Sequence, residues 1–183
     1  MQESDRNMGE FLKSIERRAF RMAEIASGDK EEALDIVQDA MFRFVDKYGG
    51  SDESEWRPLF YRILQNRIRD WYRRKAVRDR LRVWLDRWKG EEEETKIDPL
   101  QSLQDPTRND PEKSTESSDA LAALDAALHS LPLRQQQAFL LRAWEEMSVK
   151  ETSKIMNCSE GSVKTHYSRA VRNLREKLEG WWP

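Results

Sequence analysis

The last third of the chain constrains its fold more than any other part. Leu131-Pro132 opens a helical run that leads to Ser159-Glu160-Gly161-Ser162-Val163-Lys164-Thr165-His166, followed by Arg169, Arg172 and Arg175. The run reads as one helix, a tight turn and a second helix that begins on small and hydroxylated residues and continues with a basic face. That is the layout of a helix-turn-helix, whose second helix enters a DNA major groove N-terminal end first. Ser148 followed by Glu151 predicts a capping box for the first of the two helices. Asn157 tolerates the left-handed backbone that ends it, and Ser159 can cap the second. Val149, Ile155 and Val163 are expected to pack the pair. Val163, Tyr167, Ala170–Val171, Leu174 and Leu178 are expected to face inward. Cys158, the lone cysteine, falls at the turn and reads as a small buried plug in a reducing compartment.

Charge is distributed in blocks, and the blocks say more than the net value of −2. Residues 1–55 carry 8 basic and 14 acidic side chains, and residues 56–89 carry 12 and 3. Residues 90–119 carry 3 basic and 10 acidic, and residues 148–178 carry 7 and 3. A solvated helix mixes signs, so the cationic excess of 56–89 points to phosphate neutralisation. Two basic segments far apart in one chain predict two separate contacts with nucleic acid.

Helical periodicity with 7 Gly and 6 Pro in 183 residues predicts an all-α protein. Phe11, Ile15, Ala19, Met22 and Ile25–Ala26 mark a first helix closed by Ser27-Gly28-Asp29. Asp29 caps a second, with the stripe Ala33, Ile36–Val37, Ala40–Met41, Phe44–Val45 and Tyr48, and Gly49-Gly50 is expected to end it in left-handed geometry. Pro58 suits the first turn of a third, whose apolar side is Leu59–Phe60, Ile63–Leu64, Ile68 and Trp71–Tyr72. Val77, Leu81, Trp84–Leu85 and Trp88 either extend it or form a separate helix. The Glu91–Glu94 block with Pro99, Pro106 and Pro111 reads as a flexible acidic linker. Leu121, Leu124 and Leu128 then form a core stripe, and Ala138–Phe139, Leu141 and Trp144 belong to the helix after Pro132. The expected architecture is two small helical domains, 1–89 and 119–183, joined by linker 90–118, the second domain being the helix-turn-helix. No run approaches the roughly 18 apolar residues of a membrane span. Met1–Glu10 lacks a signal-peptide core, which suits a cytoplasmic protein without membrane insertion.

The run Leu131–Leu174, with Leu131-Pro132-x-Arg134, Ser148-Val149-Lys150-Glu151 and Ser159-x-Gly161-Ser162-Val163-Lys164-Thr165-His166-x-x-Arg169-Ala170, resembles the −35-binding region 4 of bacterial RNA polymerase sigma factors. Ala33–Val45 looks like their core-polymerase-binding helix, and Phe60–Lys75 is similar to the segment that engages the −10 element. Two such regions with only a short linker between them resemble the extracytoplasmic-function class of the sigma-70 family. Glu146 stands where a Gly is common, Thr152-Ser153 replaces an Ile-Ala pair, and Asn157-Cys158 replaces a Gly-aliphatic turn.

The resemblance implies a set of roles. Asp35, Gln38, Asp39 and Arg43 are expected to meet the coiled coil of the largest polymerase subunit, with the polymerase flap as a further contact. Asn66, Arg69, Tyr72 and Arg73 are expected to hold the melted −10 strand, helped by loop 49–56, with Trp71 in the core. Ser162, Lys164, Thr165, Ser168, Arg169 and Arg172 are expected to read the −35 duplex. The implied partners are core RNA polymerase, promoter DNA and an anti-sigma factor, with no cofactor, no metal and no catalysis. Two rivals are a dimeric helix-turn-helix regulator and a metal-dependent nucleic-acid enzyme using Asp35, Asp39 and Asp46. The first lacks any recognisable sensor domain. The second lacks a His near those carboxylates, since His129 and His166 lie far away.

Overall fold

A computed structural model of the chain describes residues 2–89 and 116–179. Seven α-helices are present among the described residues, with no strand. They are α1 (Gln2–Ser27), α2 (Lys30–Tyr48), α3 (Glu53–Lys89), α4 (Glu116–His129), α5 (Leu133–Phe139), α6 (Val149–Met156) and α7 (Glu160–Lys177), with a π-helical turn at Leu140–Trp144 after α5. All of the expected acidic linker up to residue 115 lies outside the described residues.

Local signals account for most boundaries. Gly28 closes α1 at φ +72°, and Asp29 then caps α2 by accepting from the amides of Glu31 (2.8 Å) and Glu32 (3.0 Å). Gly49 departs from expectation: it is right-handed, at φ −57°, and simply continues the α2 backbone with its N–H on the Val45 carbonyl. The third helix starts five residues before Pro58, because Asp52 accepts from the Ser54 amide at 2.9 Å and supplies the cap. Pro58 therefore sits inside α3, where its missing N–H leaves the Ser54 carbonyl without an intrahelical donor. Beyond it, α3 runs unbroken to Lys89.

The first unit, α1–α3, buries Ala19, Met22, Ala40, Phe44, Phe60 and Leu64 completely. Phe11, Phe44, Trp56 and Phe60 form an aromatic cluster with centroids 5.5–6.5 Å apart, in tilted or edge-on pairs favoured by ring quadrupoles. The second unit, α4–α7, is built around Leu128, Leu140, Leu141, Ile155, Met156, Val163, Ala170 and Leu174. One residue expected in its core stripe lies outside it: Leu121 is 64% exposed. The cores of the two units are continuous, α3 packing on α6 and α1 on α4.

Candidate nucleic-acid interface

The C-terminal motif forms as its caps dictate. The Ser148 hydroxyl accepts from the Glu151 amide (3.1 Å), and the Glu151 carboxylate accepts from the Ser148 amide (2.8 Å). The Ser148 hydroxyl also donates to the Glu151 carboxylate (2.6 Å), and this bond together with that from the Ser148 amide holds the Glu151 carboxyl below the usual carboxylate range. Asn157 ends α6 at φ 51° in the left-handed region, and the Ser159 hydroxyl accepts from the Ser162 amide at 3.1 Å to start α7. Cys158 is half-buried against the core.

This capping fixes which face α7 offers. Val163, Ala170 and Leu174 are buried, so Lys164, Thr165, Ser168, Arg169 and Arg172 lie exposed, with Ser162 half-buried at the helix start. Their three- and four-residue spacings put them on one side of the helix. The Thr165 hydroxyl is returned to the Gly161 carbonyl (3.0 Å), and Arg172 has only a long contact with Glu176 (3.9 Å). His166 is half-buried, and burial together with the charges of Arg134 and Arg169 lowers its pKa.

On α3 the four residues expected at the melted strand are not equivalent. Arg73 is exposed and pairs with Asp70. Asn66 and Arg69 bond to each other, and Arg69 also donates to the Met156 carbonyl at the end of α6 (3.3 Å). Burial and the neighbouring Arg134 charge pull the Arg69 pKa below the ordinary guanidinium value. The Tyr72 hydroxyl donates to the Ala26 carbonyl at 2.9 Å, and burial pushes its pKa up to about 12. Trp71 is 3% exposed, as a core residue should be, with its indole N–H on Glu32 (2.7 Å).

Sequence reasoning missed the companions of Arg73. Arg67, Asp70, Arg73, Arg74, Val77 and Arg78 line a groove of about 640 Å³ along α3. Burial disfavours the Asp70 carboxylate, but its bond to Arg73 and the charges of Arg67 and Arg73 outweigh this and hold its pKa down. The signal was present: Arg67, Arg74 and Arg78 recur at helical spacing around Asp70. The groove can take a polyanionic strand by charge alone.

On α2, Asp35, Gln38 and Arg43 are exposed and Asp39 is half-buried. Asp39 accepts from Arg43 (3.1 Å) and lies 3.4 Å from Arg67 of α3. Beside these polar groups run three exposed apolar side chains, Leu34 at 49%, Phe42 at 75% and Val45 at 45% exposure; Val45, expected in the buried stripe, lies outside it because only its neighbour Phe44 turns into the core. With Gln38 they follow four- and three-residue steps on a single face. Among the described residues no group of three or more His, Cys, Asp or Glu could hold a metal ion, and no helix is long and apolar enough to cross a membrane.

Residues 9–78 match the family model for sigma-70 region 2, and residues 121–174 match that for sigma-70 region 4. The RNA polymerase sigma-E factor of Streptomyces antibioticus is 30% identical over 151 residues, covering 82% of this chain and 73% of the relative. The ECF RNA polymerase sigma factor SigX of Bacillus subtilis is 27% identical over 156 residues, again 82% and 73% of the two chains. The fold is similar to that of the sigma factor RpoE from Bartonella quintana, solved in complex with the anti-sigma factor NepR. There the TM-score is 0.61 at 24% identity, over 96% of this chain and 99% of that one. The chain thus belongs to the sigma-70 family of RNA polymerase sigma factors, in its extracytoplasmic-function class, and directs promoter-specific transcription initiation.

Proposed function

We propose that this sigma factor divides promoter-directed initiation among three surfaces. The α2 face of Asp35, Gln38, Asp39 and Arg43, with the apolar stripe of Leu34, Phe42 and Val45, docks on the coiled coil of the largest polymerase subunit. The groove along α3, with Asn66, Arg69, Tyr72 and Arg73 at its edge, receives the −10 strand. The α7 face of Ser162, Lys164, Thr165, Ser168, Arg169 and Arg172 reads the −35 duplex. The chain performs no chemistry. Opening the duplex is an exchange in which capturing unstacked bases offsets a cost of a few kcal/mol.

The observation that carries this reading is the exposed, capped face of α7 in the same chain as the arginine groove of α3. Hydroxyls and guanidinium groups at helical spacing can take base edges and phosphates from one side of a major groove. Resemblance to family members supports core RNA polymerase and promoter DNA as partners and a cytoplasmic setting, with the flap as a second polymerase contact for the region 4 unit. A protein of similar fold solved with an anti-sigma factor supports such a partner here as well. Domain limits of 1–89 and 119–183 about an acidic linker fit the two matched regions.

Purified chain added to core polymerase should yield run-off transcripts from a promoter selected by sequencing transcripts after overexpression. The chain alone should leave that DNA chemically intact. Absence of transcripts with active core, or cleavage of the DNA, would remove the proposal.

A further inference from the structure

The hydroxyl groups on the α7 face are not equally available to DNA. Ser162 is engaged at the helix cap, its Oγ 2.9 Å from that of Ser159, which also accepts from the Ser162 amide. Thr165 donates its hydroxyl to the Gly161 carbonyl, one turn back along the helix, at 3.0 Å. Ser168 is exposed, and its hydroxyl has no partner among the described residues. Of the three, only Ser168 keeps a proton to give to a base or a phosphate.

The Thr165 bond decides what that side chain presents. A hydroxyl carries one proton, and here it is spent on the helix backbone. The residue then has no donor left for the acceptor edge of a purine, for the O4 of thymine or for a phosphate oxygen. A β-branched side chain whose oxygen is fixed has its methyl fixed as well, because the two occupy staggered positions on one carbon. With the oxygen folded onto the backbone of an exposed residue, the methyl group is the part left facing outward. The helix itself is held in place by Val163 and Ala170, both completely buried, so the group is offered at a defined position.

Only thymine carries an apolar group on its major-groove edge. Arg169 follows Thr165 by four residues and lies exposed on the same side, so a guanidinium stands one turn beyond the methyl. We propose that Thr165 is a specificity-determining residue that selects a thymine of the −35 duplex by methyl–methyl contact and gives no hydrogen bond to any base. The proposal rests on the assignment of the α7 face to that duplex. It divides the face by chemistry: Thr165 reads an apolar mark, while Arg169 and Ser168 supply the donors.

The test uses the whole chain assembled with core polymerase, and −35 duplexes in which each thymine is replaced in turn by deoxyuridine. The two nucleotides differ only in the methyl group. With the parent, replacement at one thymine should weaken binding about fourfold, the effect of removing one methyl group from an apolar contact. Thr165→Ser keeps the hydroxyl without the methyl, Thr165→Ala removes both, and Thr165→Val keeps the methyl without the hydroxyl. The Ser and Ala variants should bind the thymine duplex about fourfold more weakly than the parent and become indifferent to deoxyuridine at that position. Thr165→Val should retain both the affinity and the sensitivity of the parent. Helical circular dichroism should be unchanged throughout, since the side chain is exposed. A parent that ignores every deoxyuridine, or a sensitivity that survives in both Ser and Ala variants, would overturn the proposal. Weak binding by Thr165→Val alongside full binding by Thr165→Ser would overturn it too, by giving the recognition to the hydroxyl. A holoenzyme indifferent to base-pair changes throughout the −35 duplex would instead overturn the assignment of the α7 face on which the proposal rests.

Discussion

Tyr72 of α3 ends on the backbone of α1, its hydroxyl donating to the carbonyl oxygen of Ala26 at 2.9 Å. Ala26 lies in the last turn of α1, where a carbonyl has no intrahelical donor. The tyrosine therefore caps α1 while its ring packs edge-on against Trp71, with centroids 5.1 Å apart. A residue expected from the resemblance to serve DNA is here part of the scaffold.

That structural role has a signature in alkali. Burial raises the Tyr72 pKa to about 12, above the value of about 10 for a free phenol. The unfolded chain then loses its proton first. The stabilisation is complete below about pH 10 and is lost as pH rises from about 10 to about 12, amounting to about 2–3 kcal/mol. Tyr72→Phe should cost about 1 kcal/mol at neutral pH through the lost hydrogen bond. It should also flatten the alkaline decline relative to the parent. Urea unfolding at a series of pH values checks both, and parallel declines in the two proteins would show that Tyr72 is not the group responsible.

The departures of this chain from the family pattern fall at identifiable physical costs. Glu146 stands where the resemblance places a Gly, and its φ of 52° is the left-handed region that a side chain enters at a penalty of about 1 kcal/mol. Thr152 stands where an Ile is usual, fully buried and with its hydroxyl unpartnered. Glu146→Gly and Thr152→Val should each raise stability by about 1 kcal/mol, the first by relieving backbone strain and the second by removing a dehydrated hydroxyl. Thermal unfolding of the single variants is sufficient to check this. A lower melting temperature for either would mean that the residue makes a compensating interaction elsewhere.

Short-range physics made much of this molecule legible in its sequence. The Asp29 cap, the Ser148–Glu151 box, left-handed Asn157 and the Ser159 cap each involve residues within three or four positions, and all formed as their chemistry requires. The exposed α7 face followed directly from them. Where local signals compete, the structure departs from the expected boundary. Asp52 caps α3 ahead of Pro58, and Gly49 keeps to the right-handed region. What could not be seen was pairing over distance. Arg57 and Glu145 lie 88 residues apart, and a run of arginines does not say which one will face a carboxylate in another unit. The resemblance places Asn66 and Arg69 at the strand, but their bond to each other and that of Arg69 to Met156 are tertiary facts.

Two neighbouring phenylalanines on α2 separate folding from docking. Phe42 is 75% exposed, whereas Phe44 is fully buried in the aromatic cluster with Phe11, Trp56 and Phe60. Phe42→Ala should leave stability within about 0.5 kcal/mol of the parent and weaken core-polymerase binding by about 1–2 kcal/mol, roughly tenfold. Phe44→Ala should instead destabilise the fold by about 3–5 kcal/mol. Fluorescence anisotropy of labelled chain titrated with core polymerase measures the first effect. Unchanged affinity for Phe42→Ala would move the docking face away from the apolar stripe, leaving Asp39 and its Arg43 partner to be tested by Asp39→Ala.

Contacts along α7 should sort by position. The N-terminal turns of a recognition helix approach base edges, while its later turns reach the backbone. Arg169 is exposed in the middle of the face and aligned with Ser162 and Thr165, so Arg169→Ala should cost about 1–3 kcal/mol against one base pair of the −35 site and relax the preference there. Arg172 lies one turn further on, with Glu176 3.9 Å away as a weak competitor for its charge. Its replacement by Ala should weaken binding equally on all sequences and lower the slope of log affinity against log salt by about one. Holoenzyme binding to −35 duplexes carrying single base-pair changes, repeated at several salt concentrations, distinguishes the two. The assignments would have to be exchanged if Arg172→Ala altered sequence preference while Arg169→Ala changed only the salt slope.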